Sequence, residues 1–147
     1  MSYTLDYDEP VPKVVDRLKL EHEEFAKYLS EIYKMTKQTE IKNIMNEIDK
    51  IKSKLLRHEV EEEARLMRVI MWELPSKAER SISIMREHRN IANFIKYTFP
   101  KLLELPEPVA RREIRIFVND VKKHHSEEER TVFPLALKAS KLAEKHK

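Results

Sequence analysis

Apolar residues recur at alternating three- and four-residue steps along most of this chain, and every stripe they form carries a histidine in its middle. The first stripe is Val15, Leu18, His22, Phe25, Leu29 and Ile32. The second is Ile41, Ile44, Ile48, Ile51, Leu55, His58 and Glu62, continued by Leu66, Val69 and Ile70. The third is Ile84, Met85, His88, Ile91, Ala92, Ile95 and Phe99, and the fourth is Ile114, Phe117, Val118, Val121, His125, Val132, Leu135 and Ala139. That period belongs to helices with one buried face. A polar run at 36–39 and the prolines Pro75, Pro100, Pro106 and Pro108 separate the stripes, since proline disfavours a helical residue before it. Short connections between four helices predict an all-α fold, an up-down-up-down antiparallel four-helix bundle. The bundle is expected over 11–140, after an irregular leader at 1–10 and before a frayed tail at 141–147. Ser76 with Glu79 reads as a capping box. Pro134 predicts a kink, and Trp72 a packing anchor at the bundle end. Tyr28, Tyr33 and Tyr97 read as packing or surface residues.

Composition removes several classes of chemistry. The chain has no Cys, which excludes disulfides, thiolate metal sites and cysteine nucleophiles. It has no Gly, which excludes glycine-rich phosphate loops. Lys and Arg total 29 against 26 Asp and Glu, with the two signs interspersed, so no basic block argues for a nucleic-acid partner. No apolar run approaches a membrane span, and the opening residues MSYTLDYDEP lack the apolar core of a signal peptide. Cytoplasmic residence is the expectation.

The histidines are not scattered. His22 is answered by His88, and His58-x-x-x-Glu62 is answered by His125-x-x-x-Glu129 at an offset only one position longer. A His and a Glu four apart share a helix face. Helical rise then sets their heights: roughly 24 Å up from His22 to the first turn and roughly 27 Å back down to His58. The second and third helices give equal steps of about 18 Å around Pro75. The third and fourth repeat the first case, so His22, His58, Glu62, His88, His125 and Glu129 return to one level on the bundle axis. The competing pair His124 and Glu128 has the same spacing, but the stripe Val118, Val121, Val132 and the repeat favour His125 and Glu129 inside, with His124 and Glu128 outside.

Carboxylates buried at such a level cost several kcal/mol each unless a partner needs them. Two divalent cations are that partner, with the carboxylates bridging and neutral imidazoles capping. This set, followed by Val132, Phe133 and Pro134, resembles the hemerythrin-like HHE cation-binding domain over nearly the whole chain. The resemblance implies two Fe ions in a non-haem, oxo- or hydroxo-bridged centre; by ligand type Mn or Zn is also accommodated. Oxygen carriers of that family have His-x-x-x-His on the third helix, whereas Ala92 and Ile84 flank His88 here. They also place an Asp at the last bridge. Four His and two Glu are more similar to the domain of repair-of-iron-centres proteins and of the iron-sensing F-box subunit. The resemblance implies binding or sensing of O2, NO or peroxide, or a role in oxidative and nitrosative stress and iron handling. One alternative is a di-iron enzyme or iron donor for repair of damaged metal centres or for peroxide reduction. Another is a helical module with a structural Zn or Mn. Ligand binding is favoured over substrate turnover.

Overall fold

The computed structural model describes residues 5–146. Within them every regular element is helical, and the chain runs as four antiparallel arms. The first arm is α1 (Val11–Met35). The second is α2 (Ile41–Glu61), a π-helical turn Glu62–Met67, and α3 (Arg68–Glu73). The third is α4 (Ala78–Asn93), a π turn Phe94–Thr98, and a 3₁₀ stretch Phe99–Glu104. The fourth is α5 (Glu107–Glu127), a π turn Glu128–Val132, and α6 (Phe133–Lys145). The all-α four-helix bundle expected from the stripes is the fold observed.

The stripes pack into two apolar clusters with a polar layer between them. One cluster contains Phe25, Leu29, Ile48, Leu55, Ile91, Phe117 and Val121; the other contains Leu18, Leu66, Ile70, Ile84, Val132 and Phe133. On every arm the break between clusters falls at the histidine: Leu18 and Phe25 lie on opposite sides of His22, and Ile84 and Ile91 on opposite sides of His88. Apolar burial on both sides holds the four arms in register around that layer.

Several local expectations change. Pro75 opens a 3₁₀ turn over Pro75–Lys77, which draws Ser76 into helical geometry and leaves no side-chain cap on α4, so the capping box does not form. Trp72 is 83% exposed and anchors nothing in the bundle. Pro134 lies in the first turn of α6, directly after a π turn, where its missing N–H is absorbed. Pro100 follows the π turn Phe94–Thr98 in the same way. The π turn Glu62–Met67 has no proline behind it. The last arm continues as helix to Lys145, and His146 Nε2 approaches Glu73 Oε2 at 3.4 Å. Residues 1–4 of the leader, Tyr3 among them, and Lys147 of the tail lie outside the described residues. The rest of the leader is tied down: Arg65 donates to the carbonyls of Asp6 and Glu9, and Arg17 bridges the Glu9 and Glu61 carboxylates.

Candidate metal centre

The polar layer is built from side chains that helical geometry aims at one axis. His22, His58, Glu62, His88 and His125 all arrive there, each at most 5% exposed. His124 at 2% and Glu128 at 0% join them. Glu129 does not: its side chain is 43% exposed, and it lies behind His22, with Oε2 3.1 Å from Nδ1. The fourth arm is therefore rotated from the register expected. One helical step is about 100°, and the observed rotation brings Glu128 onto the axis while keeping both His124 and His125 in the layer. The layer holds five imidazoles, one each from α1, α2 and α4 and two from α5.

The imidazoles form two groups. His22 stacks on His125 with ring centroids 4.0 Å apart, and His58 lies 4.8 Å from His22 and 5.2 Å from His125. His88 and His124 form the second group, 4.6 Å apart. Glu128 reaches both. Its Oε1 is 3.3 Å from His22 Nε2, while its Oε2 is 3.2 Å from His88 Nε2 and 3.4 Å from His124 Nε2. Glu62 lies across from it, with Oε1 2.7 Å from His58 Nε2 and 3.9 Å from His88 Nε2. Two sets of potential ligand atoms converge within 4.8 Å: His22, His58, His125 and Glu128 in one, His88, His124 and Glu128 in the other.

Most of the donor atoms are close without a geometrically aligned hydrogen bond to one another; His88 Nε2 with Glu128 Oε2, at 3.2 Å, is a pair that has one. His22 Nε2, His58 Nε2, His124 Nε2, His125 Nε2, both oxygens of Glu62 and Oε1 of Glu128 are buried with no aligned hydrogen-bond partner among the described residues. Orphaned buried polar atoms are rare in folded chains and costly one by one. Buried donor atoms gathered within reach of one another and short of hydrogen-bond partners are what a cation requires, and imidazole with carboxylate is a donor set for Fe, Mn or Zn. The residues fit a metal pair.

Outer carboxylates fix the rings. Glu21 Oε1 meets His58 Nδ1 at 2.7 Å and Glu87 Oε2 meets His124 Nδ1 at 2.8 Å, which leaves each Nε2 facing inward. Sequence reasoning missed both, because a Glu beside a helical His reads as a solvated charge. The available signal was the offset: the step from Glu21 to Glu87 is the same as from His22 to His88, His58 to His124, Glu62 to Glu128, and Glu63 to Glu129. Tyr28 and Tyr97 lie away from the layer; Tyr28 donates to Glu47 at 2.6 Å and Tyr97 is 59% exposed.

Protonation follows burial and neighbours. Burial lowers His22 to about 3 and holds His124 and His125 below the usual imidazole range, so these three are neutral at pH 7. Burial would lower His58 too, but the Glu62 carboxylate and the bond to Glu21 outweigh it and raise it to about 9. Burial also works against ionised Glu62, and the positive His58 overcomes it, holding Glu62 well below the carboxylate range. Glu128 is pushed well above that range by burial and then by the Glu62 charge. Without a cation the two central carboxylates share one proton; with one, both are available as ligands.

A groove of about 510 Å³ lies beside the second group, where Glu87, Asn90, Tyr97, Asp120, Lys123 and His124 are among its lining residues. No described helix is long and apolar enough to cross a membrane. Comparison with curated proteins and with solved structures gives no match. The family model of the hemerythrin HHE cation-binding domain matches residues 13–136, so the polar layer lies wholly inside the matched region and the chain belongs to that family.

Proposed function

We propose that the chain is a non-haem dinuclear metal protein, with iron as the resident metal, that binds or senses O2, NO or peroxide in the cytoplasm. The observation that carries this reading is the placement of Glu128, one oxygen facing the three-imidazole group and the other facing the two-imidazole group. His22, His58 and His125 would hold one ion, His88 and His124 the other, and Glu62 and Glu128 would bridge them. A bound iron pair supplies reversible electron exchange and a place for a small oxygen or nitrogen ligand. The protein's own part is to exclude bulk water with the two apolar clusters and to keep each ring fixed through Glu21, Glu87 and Glu129. The groove at His124 supports approach of a small ligand from the side with fewer imidazoles.

Metal analysis of protein purified without oxygen tests the core of this reading. About two irons per chain are expected; one zinc and no iron overturns it in favour of a structural metal. An absorption spectrum after oxygen exposure then separates roles. A reversible adduct band supports carriage, and one-way oxidation supports sensing or redox work.

A further inference from the structure

Four of the five imidazoles in the layer have a carboxylate behind them, and the repeat between the two hairpins accounts for all four. At one constant offset, Glu21, His22, His58, Glu62 and Glu63 reappear as Glu87, His88, His124, Glu128 and Glu129. Nδ1 of His58 faces Glu21 at 2.7 Å, as Nδ1 of His124 faces Glu87 at 2.8 Å. Nδ1 of His22 faces Glu129 at 3.1 Å, and Nδ1 of His88 faces Glu63 at 3.7 Å. His125 stands outside this scheme. Its counterpart at the same offset is Glu59, so the repeat places no carboxylate behind it. The layer's hydrogen bonds and ion pairs involve His22, His58, His88 and His124, and none among the described residues involves His125.

The Nε2 of His125 is buried without a partner, and the residue belongs to the ligand set around Glu128, so Nδ1 is the atom left for an outer acceptor. A ring N–H with no acceptor, on a residue 5% exposed, is costly unless something from outside reaches it. His125 lines a cavity of about 420 Å³ between α1 and the fourth arm, with Ala26 on one side and Lys122, Ser126 and Arg130 on the other. Neither basic side chain has a carboxylate partner among the described residues; Lys122 donates to the Ser30 hydroxyl at 2.6 Å. Glu129 also lies on this cavity, but its carboxylate is engaged with His22. Two cations against one carboxylate leave the wall one positive charge in excess. The groove at His124 has the opposite balance, with Glu87, Glu113 and Asp120 against Lys123.

Resting on the dinuclear reading, we infer that this cavity is a binding site for a small monocarboxylate, whose head accepts from His125 Nδ1–H and pairs with Lys122 and Arg130. The ligand supplies from solution the outer acceptor that Glu21, Glu63, Glu87 and Glu129 supply from the chain. A single negative charge matches the excess of the wall, and a short aliphatic chain can lie on Ala26 and on the stems of the two basic residues. A carboxylate behind a ligating imidazole fixes its tautomer and orientation and raises its basicity. An occupant therefore tightens the ion held by His22, His58 and His125. By linkage, the metal-loaded chain holds the carboxylate more tightly by the same factor.

The test is titration of chelator-stripped protein with Zn²⁺, read by competition with a chromophoric chelator at constant pH and ionic strength, in chloride and in butyrate. The wild type is expected to take two ions in chloride, and butyrate to tighten one of them by about tenfold or more while leaving the other within about twofold. The double variant Lys122→Gln, Arg130→Gln keeps every metal ligand. It is expected to match the wild type in chloride and to lose the butyrate effect. In the zinc-loaded wild type the ¹⁵N resonance of His125 Nδ1 is expected to shift on addition of butyrate, and in the double variant to stay in place. A wild type that takes fewer than two ions in chloride overturns the dinuclear reading and this inference with it. Two ions whose affinities butyrate leaves unchanged overturn the carboxylate site alone. A butyrate effect that persists in the double variant means that butyrate coordinates the metal itself, and overturns the site likewise. So does an equal effect of inorganic phosphate, which assigns the cavity to anions in general. A double variant already weakened in chloride assigns Lys122 and Arg130 to holding the fold, and overturns their role in the site.

Discussion

The two hairpins of this bundle differ far less in their polar layer than in the cores around it. Residues 21–63 and 87–129 carry the same chemical group at five of six matched positions, while the apolar residues that flank them are not repeated in kind: Phe25 is matched by Ile91, and Leu55 by Val121. Cores tolerate exchange among apolar side chains when volume is conserved overall. A ligand layer does not, because each donor atom has one place to be. The difference teaches where the constraint lies, and it makes position 59 against 125 the informative exception. Matched substitutions in the two halves therefore serve as the experiment.

The largest effect is expected at the carboxylates shared by both halves. Glu128→Ala removes the side chain that faces both imidazole groups and is expected to abolish binding of both ions, read as metal per chain after gel filtration. Glu129→Ala removes a carboxylate that only backs His22, so both ions are retained with affinity lowered about 10–100-fold at most. The reverse ranking would place Glu129 on the axis and break the match between the halves.

That pair of variants also marks the limit of what the sequence disclosed. The bundle was legible because a helical period over four long segments leaves few alternatives, and the level of the layer followed from helical rise alone. The rotation of the fourth arm was not. His124 and His125 are adjacent, Glu127, Glu128 and Glu129 are consecutive, and so two His-Glu pairs at helical spacing compete with only about a 100° difference between them. A uniform offset between the halves favours His124 with Glu128, whereas the apolar stripe through Val121 and Val132 favours His125 with Glu129. The fold satisfies both by burying both histidines and only one of the two glutamates. The π turn at Glu62–Met67 left no mark in the sequence, since no proline stands directly behind it.

Next in size are the ring-orienting carboxylates. Glu21→Gln and Glu87→Gln remove equivalent charge-assisted bonds to His58 and His124, and each is expected to lower metal affinity about 10–100-fold. If the halves are equivalent here, the two losses agree within about threefold in the same chelator competition. A large disparity would mean that the asymmetry extends beyond Glu59 and His125.

The pH dependence of the metal-free chain separates the same two positions. His22 at about 3, together with the lowered His124 and His125, are neutral in the fold but take up protons when unfolded below about 6.5. The unfolded state then binds more protons, so stability falls as pH drops from about 6.5 toward 3. Glu59 runs the other way. Burial, then Glu62, raises it to about 9, so the fold keeps a proton that the unfolded chain releases above about 4.3, and stability falls as pH rises through that window. His58, also raised to about 9, adds to the alkaline loss, since its stabilising charge is fully present only below about 6.5. Thermal melts of stripped protein are expected to peak near pH 6, with Glu59→Gln removing the loss that Glu59 contributes between about pH 4.3 and 9, so that the alkaline side flattens and the peak moves to higher pH. An unchanged alkaline side would assign that loss to His58 and to Glu128, which burial also holds well above the carboxylate range.

The smallest expected effect concerns the backbone. Pro134 stands behind the π turn Glu128–Val132, whereas Arg68 stands behind its counterpart Glu62–Met67. If the π turns are imposed by the layer, through the need to bring Glu62 and Glu128 together between the imidazoles, proline is an accommodation of the turn and not its cause. Pro134→Ala should then keep the turn, keep both ions at wild-type affinity, and change stability by no more than about 1 kcal/mol, the scale of a single-site change in chain entropy. The complementary substitution, Arg68→Pro, places proline where the matched half already holds one and is expected to fold. If Pro134→Ala instead straightens the arm and weakens metal binding, the two halves reach the same geometry by different means, and their likeness is confined to side chains.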